Sequence, residues 1–291
     1  MDRYRTGRRS RREFLGGVAL SGAAGLLGLT PRPASAEPPP ETTTLRLIKN
    51  FGICTAPQYV AEDLLQGEGF NRVEYVEAQS GFPIVKALAS GQADISMNFV
   101  APTIIRMDAG DPVVLLAGVH IGCFEVFGTE RVHKVTDLRG RDVAVQALGS
   151  SQHIFLSSIA AYVGLDPQRD INWVTRPSAE GMRLLADEKV DAYLGFPPEP
   201  QELRAKKIGH VLVNSAVDRP WAQYFCCIAA GNREFVQRHP VATKRTVRAI
   251  LKATDICARE PARAARSGSR AQISVAFRMA RTARLVATGC L

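Results

Sequence analysis

Residues 80–99 read SGFPIVKALASGQADISMNF, and the period of the apolar positions changes part-way through. Gly81, Phe82 and Pro83 open it, and a proline in the first turn followed by apolar residues at helical spacing predicts a helix from Phe82. Gly91 is the matching stop, because glycine takes a left-handed C-terminal cap without steric cost. ADISMNF then reads as a short, mostly apolar strand. A helix that ends on glycine and feeds a strand within a few residues is half of a parallel βαβ unit.

The same alternation extends in both directions. Upstream, TLRLIKN (44–50) alternates as a strand, APQYVAEDLLQGEG keeps one apolar helical face, and VEYVEA (73–78) is a second strand. Downstream, PTIIRMDAG reads as a helix and PVVLLAGV as a buried strand. The pattern restarts at TDLRGRDVAVQ (136–146) and continues through SSQHIFLSSIAAYVGL, INWVT, AEGMRLLADEK, VDAYLGF, PPEPQELRAKK and HVLVNS. WAQYFCCIAAG (221–231) has the length of a crossing strand, and helices interrupted at Pro240 follow. Two α/β series with largely parallel sheets predict two lobes around a cleft. The expected divisions are a linker at 37–43, lobe 1 at 44–135, lobe 2 at 136–222 and a return to lobe 1 at 223–266, with the crossover near 130–137. Ligands in such folds sit beyond the carboxyl ends of the strands or between lobes.

The net charge of +9 is unevenly distributed. Residues 1–36 and 267–291 carry the excess of arginine, and the body between them balances 26 basic against 26 acidic residues. A neutral body argues against nucleic acid as a partner. Residues 8–12 (RRSRR) precede an apolar run, 18–29, too short to span a bilayer, and Ala34-Ser35-Ala36 follows two prolines. This is the order of a removable export signal ending at Ala36. Its core is similar to the twin-arginine consensus at Ser10, Arg11, Arg12, Phe14 and Leu15, with Gly16 where lysine is usual. The six cysteines, 54, 123, 226, 227, 257 and 290, show no C-x-x-C and no zinc spacing, so neither a metal nor a cofactor is expected.

GICTAPQYVAEDLL, SGFPIVKALASGQADISMNF, VTDLRGRDVAV and GSSQHIFLSSIAAYVGLDP, in that order behind an export signal, resemble the solute-binding proteins of ABC importers. The likeness is to the nitrate/taurine/alkanesulfonate and thiamine-pyrimidine-precursor type, over about 44–266. It implies an α/β, type II periplasmic binding-protein fold whose two lobes close over one small ligand. It also implies ABC permease subunits as membrane partners, a twin-arginine translocase as the export partner, a periplasmic or other extracytoplasmic location, and a monomer. The tail 267–291, with four arginines and no acid, departs from the family pattern and is expected to lack ordered structure.

Strand-end loops and helix starts supply the candidate ligand-binding residues. From the first lobe these are Gly52, Cys54, Thr55, Gln79, Ser80, Gly81 and Asn98; from the second, Gly149, Ser150, Ser151 and Gln152, where helix N–H groups and hydroxyls converge. Ordinary helix capping is the competing reading for each serine. Phe196 and Glu199 end a strand in the second lobe. Glu199 would either pair with a cationic ligand or favour the helix that follows. Trp221 and Tyr224 would form an aromatic wall or pack in the core. Ser151 and its neighbours are expected to face Gly52–Thr55. No catalytic residue is assigned: there is no H-E-x-x-H, G-x-S-x-G, Walker loop or G-x-G-x-x-G. Cys54 at a helix start has the position of an activated thiol, though packing is the commoner role of a lone cysteine. The enzymatic alternative is a pyrimidine-precursor synthase on the same fold, against which the export signal argues.

The leader makes export the first expectation to test. Replacing Arg11 and Arg12 with lysine should leave unprocessed precursor in the cytoplasm, measured by fractionation and immunoblotting. Normal export of that variant through the twin-arginine route would refute the reading.

Overall fold

The computed structural model describes residues 37–50, 52–78 and 81–264. The expected leader to Ala36, with Arg11, Arg12, Phe14 and Leu15, and the tail 267–291 lie outside the described residues, as do Gln79 and Ser80.

Two five-stranded sheets form the framework. The first has the order β2-β1-β3-β10-β4, from β1 (Thr44–Lys49), β2 (Arg72–Glu77), β3 (Ile95–Phe99), β4 (Val113–Ile121) and β10 (Phe225–Asn232). The second has the order β7-β6-β8-β5-β9, from β5 (Glu125–Gly128), β6 (Arg141–Val145), β7 (Ile171–Thr175), β8 (Ala192–Gly195) and β9 (His210–Asn214). β1 runs parallel to β2 and β3, and β6 parallel to β7 and β8. β10 is antiparallel to β3 and β4, and β5 is antiparallel to β8 and β9.

The sheets are therefore mixed, and topology explains why. β5 and β10 are the strands that enter one lobe from the other. The strands of both lobes end at the cleft, so a chain arriving there must run away from it, against its neighbours. The first crossing falls at 122–124, ahead of the 135/136 boundary expected from sequence. EVFG follows β4 so closely that it reads as more of lobe 1, and only its pairing with β8 and β9 assigns it to lobe 2.

Both lobes are built on one device at the joint between helix and strand. In lobe 1, α2 (Phe82–Ala89) ends near Gly91, which has φ +72°, and Asp94 precedes β3. The Asp94 carboxylate accepts from the Arg46 N–H of β1 at 2.7 Å and from the Arg46 guanidinium at 2.5 Å, while Arg46 also donates to the Gly91 carbonyl at 2.7 Å. In lobe 2, α5 (Ser178–Ala186) ends near Glu188, also left-handed at φ +55°, and Asp191 precedes β8. Asp191 accepts from the Asp142 N–H of β6 at 3.2 Å and from Arg131 at 2.6 Å, and Arg131 donates to the Glu188 carbonyl at 2.9 Å. The Asp94 and Asp191 carbonyls accept from the N–H groups of Asn232, the last residue of β10, and Thr129, just after β5. One aspartate thus joins a helix end and the first strand through its carboxylate, and the reversed strand through its main-chain carbonyl.

Alternation places the core on both sheet faces. Leu45, Leu47, Ile95, Met97, Cys227 and Ala229 point towards α1 (Ala56–Gly67) and α8 (Pro240–Arg259), while Ile48, Ile228 and Ala230 meet α2. Strands covered on both faces read as continuous apolar runs, as β3 does. α8 is anchored by Arg248 and Lys252 on Glu68 at the end of α1, and Arg248 holds that carboxyl below its usual range. Glu41, expected in a linker, instead accepts from the Val241 and Ala242 N–H groups at 2.9 Å each and caps α8. Among the described residues no helix is long and apolar enough to cross a membrane.

Asp94→Ala should lower the unfolding free energy by about 2–4 kcal/mol, because it leaves the Arg46 backbone N–H without its acceptor and removes charge-assisted bonds. Arg46→Ala should cost about 1 kcal/mol or less, since its side chain is 40% exposed. Urea denaturation measures both. Equal losses would mean that the ion pair, and not the backbone contact, matters at this joint.

Candidate functional site

The strand ends of both lobes meet at a cavity of about 850 Å³. Lobe 1 contributes Asn50, Glu77 and Ala78, just beyond β1 and at the end of β2. Lobe 2 contributes Gln146 to Leu148 after β6, Ser150, Thr175 to Pro177 after β7, and Phe196 after β8. Glu77 is held by Lys49 at 2.7 Å, and Arg176 lies 3.3 Å from Glu180.

The walls touch where glycines allow it. A Cβ on Gly81 would lie 2.7 Å from the Gly149 carbonyl oxygen and 3.1 Å from the Ser150 Cα, so the start of α2 abuts the loop that opens α4 (Ser151–Tyr162). Gly149 lies against the Phe82 ring, and a Cβ on Gly52 would be 3.0 Å from the Phe196 ring. Behind these contacts, one apolar cluster continues from lobe 1 into lobe 2. Phe99 at the end of β3 and Phe124 in the crossing meet at a ring distance of 4.9 Å, and Phe99 meets Phe196 at 5.7 Å.

The expected facing pair is therefore corrected: Gly149 and Ser150 oppose Gly81 and Phe82, while Gly52 opposes Phe196. Ser150 lines the large cavity, and its Oγ also caps α4 by accepting from the His153 N–H at 3.3 Å. His153 Nδ1 accepts from the Gly149 N–H at 3.1 Å, and burial holds the imidazole below its usual pKa. Ser151 and Gln152 are almost fully buried, and Ser151 Oγ and Gln152 Oε1 have no hydrogen-bond partner. Ser151 faces a second, mainly apolar cavity of about 190 Å³ that Phe99, Phe155, Trp221 and Tyr224 also line. The aromatic pair thus walls the smaller space and not the larger. Asn98 is fully buried; its Nδ2 donates to Thr103 Oγ1 at 3.1 Å and its Oδ1 is without a partner.

Two further residues are committed to structure. Thr55 Oγ1 donates to the Gly52 carbonyl at 2.8 Å inside its own turn. Glu199, at the start of α6 (Glu199–Lys206), accepts from Tyr193 Oη at 2.6 Å and the Phe196 N–H at 3.2 Å. Burial raises its pKa while these bonds lower it, and the net shift is upward. It faces the interior of lobe 2, where its carboxylate is taken up by Tyr193 and the Phe196 N–H.

Sequence reasoning missed Gln58 and Tyr59. Gln58 is fully buried, donates to the Ile48 carbonyl at 2.7 Å and accepts from the Met97 N–H at 2.8 Å, so it joins the ends of β1 and β3. Tyr59 Oη donates to the Asn50 carbonyl at 2.7 Å and accepts from the Asn50 N–H at 2.8 Å; burial pushes it up to about 12. The signal was a polar residue on the apolar face of a helix directly after a strand. Cys54 is not an activated thiol: the bond with Cys123 lowers its pKa, but the bond to Cys227 and burial outweigh it and hold the thiol well above its usual range.

The NMT1-like family model matches residues 38–271. The chain belongs to the NMT1-like family. Among curated proteins none matches it by sequence. Solved structures with the same architecture include the alkanesulfonate-binding protein SsuA of Xanthomonas axonopodis pv. citri bound to MOPS, with TM-score 0.66, 20% identity, and 87% of this chain and 85% of that one covered. The aliphatic sulphonate-binding SsuA of Escherichia coli matches with TM-score 0.65, 17% identity and 82% coverage of each chain. The nitrate-binding NrtA of Synechocystis PCC 6803 matches with TM-score 0.65, 16% identity, and 81% and 68% coverage. These likenesses establish the two-lobed periplasmic binding-protein fold.

Lobe contact at Gly81 is open to a direct test. Gly81→Ala puts a methyl into the Gly149 carbonyl and strains φ +91°; Gly110→Ala strains φ +93° with nothing within 4 Å. Each should cost about 1 kcal/mol of stability from strain. Only Gly81→Ala should enlarge the radius of gyration in small-angle scattering. No difference between the two variants would show that this contact does not govern closure.

Proposed function

We propose that this NMT1-like protein is exported through the twin-arginine route and captures a small organic or anionic solute between its lobes for delivery to an ABC permease. It acts as a monomeric receptor and not as an enzyme. The observation that carries this reading is the meeting of the α2 and α4 starts, one from each lobe, beside the large cavity. Helix N-termini present N–H groups without intrahelical partners and a positive dipole end, so two that converge as the lobes close favour a negatively charged group. Glu199 is sequestered and Glu77 is paired with Lys49, which leaves no carboxylate assigned to a cationic ligand. The fold shared with sulfonate- and nitrate-binding proteins supports the same class.

A thermal-shift panel on the leader-free chain tests this, since a ligand bound only by the folded state raises the melting temperature. Alkanesulfonates, nitrate and small carboxylates are the anionic arm, and heteroaromatic amines the other. At least one anion should stabilise the protein, and Gly81→Ala should reduce that shift. Stabilisation by amines alone would overturn the anionic assignment. Turnover of a stabilising compound would overturn the receptor reading.

A further inference from the structure

Cys54, Cys123 and Cys227 are far apart in sequence and adjacent in space. Their Sγ atoms all lie within 4.8 Å of one another, and Cys123 and Cys227 are 3.7 Å apart. All three side chains are almost fully buried, and no disulfide joins the described cysteines. Each comes from a different structural segment: Cys54 from the turn after β1, Cys123 from the first crossing, and Cys227 from β10, which follows the second. His120 packs alongside. Its Nε2 lies 2.7 Å from the Cys54 carbonyl, which can only accept, so Nε2 donates and pins the turn that carries Cys54. Nδ1 lies 3.2 Å from the Ile121 carbonyl and 3.8 Å from Cys123 Sγ.

We propose that these three cysteines form a three-coordinate site for a thiophilic monovalent cation, copper(I). Soft sulfur donors select copper(I), zinc or iron–sulfur clusters. Zinc requires four ligands in a closed structural site, and among the described residues no fourth Cys, His, Asp or Glu joins the group of three. With metal–sulfur bonds of about 2.3 Å, taken from zinc thiolates, a trigonal ion needs sulfurs about 4 Å apart. The Cys123–Cys227 distance of 3.7 Å and the 4.8 Å limit on the other pairs bracket that requirement. On binding, the metal replaces the thiol protons, which leave to solvent.

The surroundings give the site a conformational role. Phe196 of lobe 2 covers Gly52, next to Cys54, when the lobes meet, so opening of the lobes exposes the route to the thiols. Once bound, the ion ties the turn after β1, whose Gly52 bears on Phe196 of the second lobe, to β10 and to the start of the first crossing. The site is separate from the solute cavity and does not depend on the solute's identity.

The test is anaerobic titration of the reduced full chain with copper(I) against bicinchoninate. One ion per chain is expected. Cys54→Ser, Cys123→Ser and Cys227→Ser should each weaken binding by at least about 100-fold, and Cys226→Ser and Cys257→Ser should leave it unchanged. X-ray absorption on the unmutated, loaded protein should count three sulfur neighbours, which keeps the test decisive if a serine variant fails to fold. Undiminished binding in Cys227→Ser, a two-sulfur shell, or zinc(II) outcompeting copper(I) would each overturn the proposal.

Discussion

A buried carboxylate at the joint between helix and strand governs each lobe. Asp94 and Asp191 accept from the backbone of the first strand of their lobe, bind an arginine that also caps the preceding helix, and pass their own carbonyls to a residue at the end of the reversed strand. A backbone N–H left unpaired in such a place is costly, so the side chain holds the first strand while the main-chain carbonyl of the same residue holds the reversed one. The ion pair itself matters less, because both arginines remain partly exposed. The device recurs in both lobes, and residues at the strand ends of both line the cleft.

From that arrangement follows the placement of everything polar in the cleft. Strand ends bring Asn50, Thr175 and Arg176 to the large cavity and the α4 cap brings Ser150, while the helix starts at Gly81 and Gly149 set how closely the lobes approach. Glycine suits that position because a methyl on Gly81 would come within 2.7 Å of the opposing Gly149 carbonyl oxygen. Behind the cleft, Phe99, Phe124 and Phe196 make the apolar floor on which the lobes bear. The buried and unpartnered Ser151 Oγ, Gln152 Oε1 and Asn98 Oδ1 all belong to elements at this boundary. Such atoms are rare in a settled interior, and a boundary that moves is a place where they can be tolerated.

The two crossings carry a double load. They fix the reversed strands β5 and β10, and they bring Cys123 and Cys227 beside Cys54. Cys54 and Cys227 belong to the first lobe, and Cys123 opens the crossing that leaves it.

The α/β series and the helix starts were legible in the sequence because proline, glycine and apolar period act over a few residues. SGFPIVKALASGQADISMNF contains its own helix start, stop and strand, and the structure places α2 and β3 within it. The candidate residues Gly52, Gly81, Gly149, Ser150 and Phe196 were legible for the same reason, since each sits next to an element end. Which residues face one another was not, because that depends on how far two separately folded lobes rotate together. Nor was the crossing at 122–124: EVFG has the same local character whether it pairs in lobe 1 or lobe 2, and only hydrogen bonds to β8 and β9 distinguish them. Glu199 could be read as a helix start but not as sequestered, since its partner Tyr193 lies on the strand before it and must point to the same side. The thiol cluster was wholly tertiary: spacings of 69 and 104 residues carry no motif. Local propensity determined the elements, and long-range pairing and burial decided which of their ends meet.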